Sequence, residues 1–168
     1  VRIKDYAPHP IFTAGIGEPV ENLLKNPGFE GEFDVDSDSK LTTRIEGWDV
    51  IIGDRWNSEQ YILPEELDNE QDLDNHVFEI RPYKWATGWS DGILAQVVNV
   101  APNETYTLSA LLKGGIAEKE GKLTGKMTIE ELQDTEKRVV TEIASKDWET
   151  YSMDYTTSPD CKQIRVAF

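Results

Sequence analysis

Residues 105–112 alternate without a break. Tyr106, Leu108, Ala110 and Leu112 fall on one side of the chain, and Thr105, Thr107, Ser109 and Leu111 on the other. Successive side chains leave a pleated backbone in opposite directions, so a period of two marks a strand with one face in a core. The pattern recurs. Met127 and Ile129 alternate with Lys126, Thr128 and Glu130; Val139, Thr141 and Ile143 make another face; Tyr151, Met153 and Tyr155 alternate with polar neighbours; Ile164, Val166 and Phe168 make the last. Ile93 to Val100 is β-branched-rich, and residues 45–52 and 76–81 also read as strands. Pro102-Asn103-Glu104 is a turn between two of these runs, with proline fixing φ and asparagine tolerant of the left-handed region. Only Pro64 to Leu67 has the look of a short helical turn. Short strands at regular spacing with turns between them predict an all-β sandwich or barrel of antiparallel sheets. Residues 1–21 carry Pro8, Pro10, Gly15, Gly17 and Pro19 and predict an extended N-terminal arm, with the domain proper over 22–168. The sequence stops at Phe168 inside a strand pattern, which predicts either a following partner segment or an edge strand there.

Charge excludes more than it selects. The 168 residues hold 17 Lys+Arg and 32 Asp+Glu, a net charge of −15. Nucleic acid and anionic membrane surfaces both require a cationic footprint, so neither is an expected partner. No stretch approaches the roughly 18 apolar residues of a membrane span. Up to residue 84 there are 19 acids against 8 bases, and beyond it 13 against 9. Most of the excess lies in two windows without Lys or Arg, Glu30–Asp38 and Glu65–Asp74, both read as solvated loops. Asp34, Asp36 and Asp38 open like a helix-loop-helix calcium loop. Its sixth position is Ser39 where glycine is needed and its twelfth Ile45 where a bidentate glutamate is needed, so that motif is rejected. The one cysteine, Cys161, rules out an internal disulfide and a cysteine-based zinc site.

Asn22-Leu23-Leu24-Lys25-Asn26-Pro27-Gly28-Phe29-Glu30 resembles the N-terminal signature of the galactose-binding-like jelly rolls found as carbohydrate-binding modules of cellulases and xylanases. Gly47-Trp48, Gln96–Val100 leading into Thr105–Ala110, Trp148–Ser152 with Tyr155-Thr156, and Ile164–Phe168 are similar to that family's later strands, in the same order. The resemblance implies a jelly-roll β-sandwich of two antiparallel sheets, with Trp48 and Trp148 as core residues. It implies a glycan as ligand, and a secreted or bacterial cell-surface setting. The start, Val1-Arg2-Ile3-Lys4-Asp5, has no apolar run of a signal peptide. The family's structural calcium carries over only to Glu30. The Asp pair that family members place on a further strand has no counterpart here, and no cofactor is required.

A sugar ring stacks its C–H face on an aromatic side chain, and its hydroxyls need amides, carboxylates or guanidinium groups. Arg81-Pro82-Tyr83-Lys84-Trp85-Ala86-Thr87-Gly88-Trp89-Ser90-Asp91-Gly92 supplies both on a loop punctuated by proline and glycine. Arg55-Trp56-Asn57 is a second such place. The expected platform is Trp56, Trp85 and Trp89, with Tyr83, Arg81, Arg55 and Asp91 at its rim and Gln96 on the strand leaving the loop. Against this stands the ordinary use of loop aromatics to plug one end of a sandwich.

No catalytic residue is expected. His9 and His76 stand beside no nucleophile pattern, no G-x-S-x-G occurs, and no cue marks Cys161 as activated. Acid pairs that could support glycoside hydrolysis are too abundant to be specific. Asn103-Glu104-Thr105 matches an N-glycosylation acceptor, relevant only in a eukaryotic secretory pathway. The expected function is non-catalytic carbohydrate binding. The alternative is a protein-interaction or structural sandwich of a larger surface protein, joined to other domains or to a partner strand at the C-terminal edge.

Overall fold

The computed structural model describes residues 10–16, 21–29, 33–35, 42–52, 58–62, 78–82, 92–114 and 125–168. These form twelve strands: β1 (Ile11–Ala14), β2 (Phe33–Val35), β3 (Thr42–Ile45), β4 (Asp49–Ile52), β5 (Ser58–Ile62), β6 (Phe78–Pro82), β7 (Gly92–Asn99), β8 (Thr105–Leu112), β9 (Gly125–Glu131), β10 (Arg138–Ile143), β11 (Glu149–Thr156) and β12 (Gln163–Ala167). No helix occurs among the described residues. The two principal sheets have the orders β1-β8-β11 and β10-β9-β12-β7-β4, and two further strand pairs are β2-β3 and β5-β6. The all-β sandwich expected from the alternation is the fold. The helical turn expected at Pro64–Leu67 lies outside the described residues.

The chain forms two compact units, one containing Asn26–Ala95 and the other Pro8–Lys25 with Gln96–Phe168. In the second unit β8 is the middle strand of its sheet, and its alternation is visible in its burial. Tyr106, Leu108 and Ala110 are buried while Thr105, Thr107 and Ser109 are half-buried. Phe12 of β1 and Met153 of β11 lie directly opposite Leu108. Phe12 also stacks on Tyr106 with ring centroids 5.2 Å apart. Met127 and Ile129 of β9, Ile143 of β10, and Ile164 and Val166 of β12 are likewise buried. Each such side chain contributes roughly 1.5–3 kcal/mol by leaving water.

Residues 11–14, which the sequence places in the extended arm, are strand β1, paired from Ile11↔Ser109 to Ala14↔Tyr106. The chain then returns along this strand. Asn22 Oδ1 accepts from Phe12 N at 3.0 Å and Leu24 N at 3.1 Å, while its Nδ2 donates to Pro10 O at 3.0 Å. One side chain thereby satisfies the backbone of an edge strand, and this is the physical use of the first residue in the opening signature.

The turn before β8 has the expected conformation, with Asn103 at φ 56°. Thr157 fastens it: its Oγ1 donates to Ala101 O at 2.7 Å and accepts from Glu104 N at 3.0 Å, and its backbone N donates to Glu104 O at 3.0 Å. Tyr106 adds its hydroxyl as acceptor for Ala101 N at 2.8 Å.

Two expectations are corrected. The terminal strand is not an edge. β12 lies between β9 and β7, and Ile164 and Val166 are fully buried. A strand with apolar residues at alternate positions and partners on both sides offers no free backbone to a partner strand, so the edge proposed at 162–168 does not exist. The acidic window Glu30–Asp38 is also not wholly loop. Phe33–Val35 is β2, paired with β3 through a register shift at Asp34/Val35. The alternation Phe33, Asp34, Val35 is a strand pattern masked by the charge of its neighbours. The second window, Glu65–Asp74, lies outside the described residues.

In the first unit, β4 pairs with the Gly92–Ala95 half of β7. Trp48 is 5% exposed, tilted against Phe29 at a centroid distance of 5.5 Å, and its indole N–H donates to Asn26 O at 2.8 Å. The left-handed residues of the opening turn are Asn26 (φ 45°) and Phe29 (φ 56°), not Gly28. A bulky residue at positive φ is uncommon and persists where packing over-determines it; here Phe29 is held by Trp48.

Gly114 provides a test of packing in the second unit. Its N–H donates to Ser145 O at 2.7 Å, and a Cβ there would stand 2.5 Å from Ile143 O. Gly114→Ala is expected to destabilise the domain by about 2 kcal/mol, since backbone must move. Urea unfolding of the purified variant checks this, and an unchanged midpoint would show that the close approach is absent in solution.

Candidate functional site

Of the residues expected at the site, Trp56, Trp85, Trp89, Tyr83, Arg55 and Asp91 lie outside the described residues, as does Glu30. Arg81 lies on β6 at the register position opposite Glu59 of β5. Gln96 is placed fully. It is 5% exposed, its Oε1 accepts from Lys25 N at 2.6 Å, and its Nε2 donates to Lys25 O at 3.0 Å. That paired bond joins β7 to the opening signature, and a sugar hydroxyl would have to displace it.

The two described tryptophans differ. Trp48 is enclosed. Trp148, expected in the core, is only half-buried, and Lys113 Nζ lies 5.8 Å from its ring centroid. It precedes β11 at a sheet margin, where one ring face is left to a lysine.

Two adjacent glutamates at the end of β9 are the least expected feature. Strict alternation would put one of them in water, yet both are buried. Glu131 faces the same way as Met127 and Ile129 and is fully buried. Ser158 N donates to its Oε1 at 2.7 Å and Ser158 Oγ to its Oε2 at 2.6 Å. Tyr155 Oη donates to Oε1 at 3.0 Å and Gln133 Nε2 to Oε2 at 3.1 Å. Burial opposes ionisation, but the two Ser158 bonds, the Tyr155 bond and the Lys137 charge outweigh it and hold the carboxyl below its ordinary value. Tyr155 is pushed well above its usual range by burial and by donating to Glu131. Ser158 Oγ also lies 2.8 Å from Asp160 Oδ1, so its one proton is shared between two carboxylates, and that bond draws Asp160 below its ordinary value. Cys161 is fully buried, and burial raises its thiol. Such a thiol is a poor nucleophile. The cluster is a carboxylate clamp on the turn between β11 and β12.

Glu130 faces the opposite way. It is 5% exposed and sits at the register position between Arg138 of β10 and Arg165 of β12. Arg165 Nε donates to Glu130 Oε1 at 2.5 Å, and Arg165 Nη2 contacts the same oxygen. Thr128 and Ala167 on this face are half-buried. The flanking strands carry exposed apolar residues, Val140 on β10 at 42% and Val97 on β7 at 41%. The face that carries the Glu130–Arg165 pair therefore adjoins exposed valines on β10 and β7. The doubled glutamate was the available sequence signal: a charged residue on each face of one strand demands a partner on each.

Among the described residues no group of three or more His, Cys, Asp or Glu is placed to hold a metal ion. The calcium implied by the resemblance rests on Glu30, which lies outside the described residues. No helix of the described residues is long and apolar enough to cross a membrane.

A family model described as a carbohydrate binding domain matches residues 21–168. A comparison with curated proteins found no match.

Proposed function

Because the chain belongs to the carbohydrate binding domain family, we propose that it is a non-catalytic module that holds its glycan on an aromatic platform of Trp56, Trp85 and Trp89. Tyr83, Arg81, Arg55 and Asp91 supply hydrogen bonds at the rim. Carbohydrate binding follows from family membership over residues 21–168. What supports the platform is the loop composition: three aromatics within residues 83–89, between Pro82 and Gly92, in a chain whose described core is assembled from other side chains. Planar rings offer large apolar area at low entropic cost. The sequence offers no nucleophile motif, and the module acts by concentrating its polymer ligand. The setting we propose is outside the cell or at a bacterial surface, where polysaccharide is met.

Affinity gel electrophoresis and a glycan array test the binding, and a reducing-sugar assay on the same polysaccharides tests the absence of turnover. Retention without release of reducing ends is the expected pair of results. Turnover that survives repurification contradicts the non-catalytic reading.

A further inference from the structure

We infer that β10 is an interaction edge whose partner is a second copy of this chain. Two β10 strands pair antiparallel about a two-fold axis at Val140, with Arg138 of each copy opposite Glu142 of the other. The inference stands on the edge strand and does not depend on the carbohydrate-binding reading.

β10 ends its sheet and has one neighbour, β9. Glu131 N donates to Lys137 O at 3.0 Å, so Lys137 and Glu131 are a hydrogen-bonded pair. Such pairs alternate along an antiparallel ladder, and the register continues without a bulge from Arg138↔Glu130 to Ile143↔Gly125. Val139, Thr141 and Ile143 therefore bond to β9, while Arg138, Val140 and Glu142 direct their N–H and C=O groups to the open side. Among the described residues no strand or loop backbone meets them there. The other margins in this unit are managed differently. β1 is closed by Asn22 and by Leu23 N, which donates to Phe12 O at 2.7 Å. β11 carries only acidic charges, Glu149 and Asp154, which oppose pairing with another copy of itself. β10 has no proline, glycine, lysine or bulge to guard its edge.

Its two charges are of opposite sign and stand on one exposed face with Val140 between them. Arg138 lies at the register position of Glu130, whose carboxylate is taken by Arg165, and Glu142 at that of Lys126. Among the described residues neither Arg138 nor Glu142 has an ion-pair partner. Centring the pair on Val140 sets Arg138 opposite Glu142 twice and valine opposite valine, both favourable cross-strand combinations. Centring it on Arg138 or Glu142 sets like charges together, and centring it on Val139 or Thr141 puts one of the two charges opposite Val140. Only the first arrangement uses both charges and every outward backbone group of 138, 140 and 142. The interface is the same patch on both copies, so assembly stops at two. A strand of six residues is short for a permanent interface, so the dimer is of the weak, reversible class. The net charge of −15 on each copy opposes approach, but physiological salt screens it beyond about 8 Å.

The experiment is sedimentation equilibrium of wild type, Val140→Pro, Arg138→Glu, Glu142→Arg and an equimolar mixture of the two charge variants, in physiological salt, with thermal unfolding of each. Wild type is expected to show a monomer–dimer equilibrium at protein concentrations up to about 1 mM. Val140→Pro removes an N–H that β9 does not use, a position at which an edge strand tolerates proline; it is expected to weaken the dimer about tenfold or more. Arg138→Glu sets acid against acid at both charged positions and Glu142→Arg sets base against base, so each alone is expected to lose about tenfold. Their mixture restores opposite charges at both positions and is expected to associate within about threefold of wild type. Both variants remain strongly acidic overall, so neither bulk attraction nor a merely structural effect produces that rescue. Where a charge variant does not fold, Val140→Pro decides. A wild type that stays monomeric up to about 1 mM overturns the inference, and so does a dimer that folded Val140→Pro leaves within about twofold of wild type. A mixture of folded charge variants that associates no better than either alone overturns it too. Each of these leaves the carbohydrate-binding reading standing.

Discussion

Replacing Trp56, Trp85 and Trp89 together by alanine is expected to abolish glycan binding in a protein that still folds. Aromatic anchors at a binding surface commonly cost about 2 kcal/mol or more each on truncation, which is roughly a 30-fold loss per ring. The losses are not additive, but removal of all three rings would carry a micromolar ligand beyond detection. Folding is expected to survive because the described core is built without them, from Phe12, Leu108, Met127, Ile129, Ile164 and Val166 among others. Circular dichroism and thermal unfolding establish the fold, and affinity electrophoresis reads the binding. Full retention of binding by a folded triple variant would end the platform reading.

The largest expected effect on stability lies at Glu131. Glu131→Ala removes an acceptor from Ser158 N, Ser158 Oγ, Tyr155 Oη and Gln133 Nε2, and only Ser158 Oγ and Tyr155 Oη keep a second one, Asp160 Oδ1 and Lys137 O. Hydrogen bonds to a charged group contribute about 1.5–3 kcal/mol each, so the loss of the two Ser158 bonds and the Tyr155 bond is expected to cost about 3–5 kcal/mol. Glu131→Gln is expected to cost less, about 1–3 kcal/mol, because one amide oxygen still accepts while the amide nitrogen meets donors. The same clamp sets an acid response. The folded carboxyl lies below its ordinary value of 4.5, so its contribution is fully present above that value and is lost as pH falls through the lower folded value. Urea unfolding across the acid range is expected to show wild type losing stability below about pH 4.5 more steeply than Glu131→Gln. Parallel pH curves, or a Glu131→Ala variant within about 1 kcal/mol of wild type, would show that the carboxylate is not held by its four donors.

The fold was legible where one face of a strand is apolar and the other polar. β8, β11 and β12 follow directly from residues 105–112, 149–156 and 163–167, since period-two alternation carries both the strand and the identity of its buried face. What alternation does not encode is the neighbour. Nothing in Ile164-Arg165-Val166 says whether β12 is central or an edge; that depends on how distant strands are ordered. β1 resembles an arm in sequence because Pro10 and Gly15 bracket a run of only four strand residues. β2 was hidden by the acids around Phe33 and Val35. Gln96 shows the limit for a site: its pairing with Lys25 spans 71 positions in sequence, and only the fold brings them together. Glu130 and Glu131 were visible as a doublet, but their division between a guanidinium on one face and serine and tyrosine donors on the other belongs to the packing.

The platform is tested most directly by following the five tryptophan indole N–H signals of ¹⁵N-labelled protein during titration with a glycan drawn from the array. The account predicts that the signals assigned to Trp56, Trp85 and Trp89 shift in a saturable way with one dissociation constant, while Trp48, bonded to Asn26 O, stays fixed. Saturable binding that leaves those three indoles unmoved would contradict it.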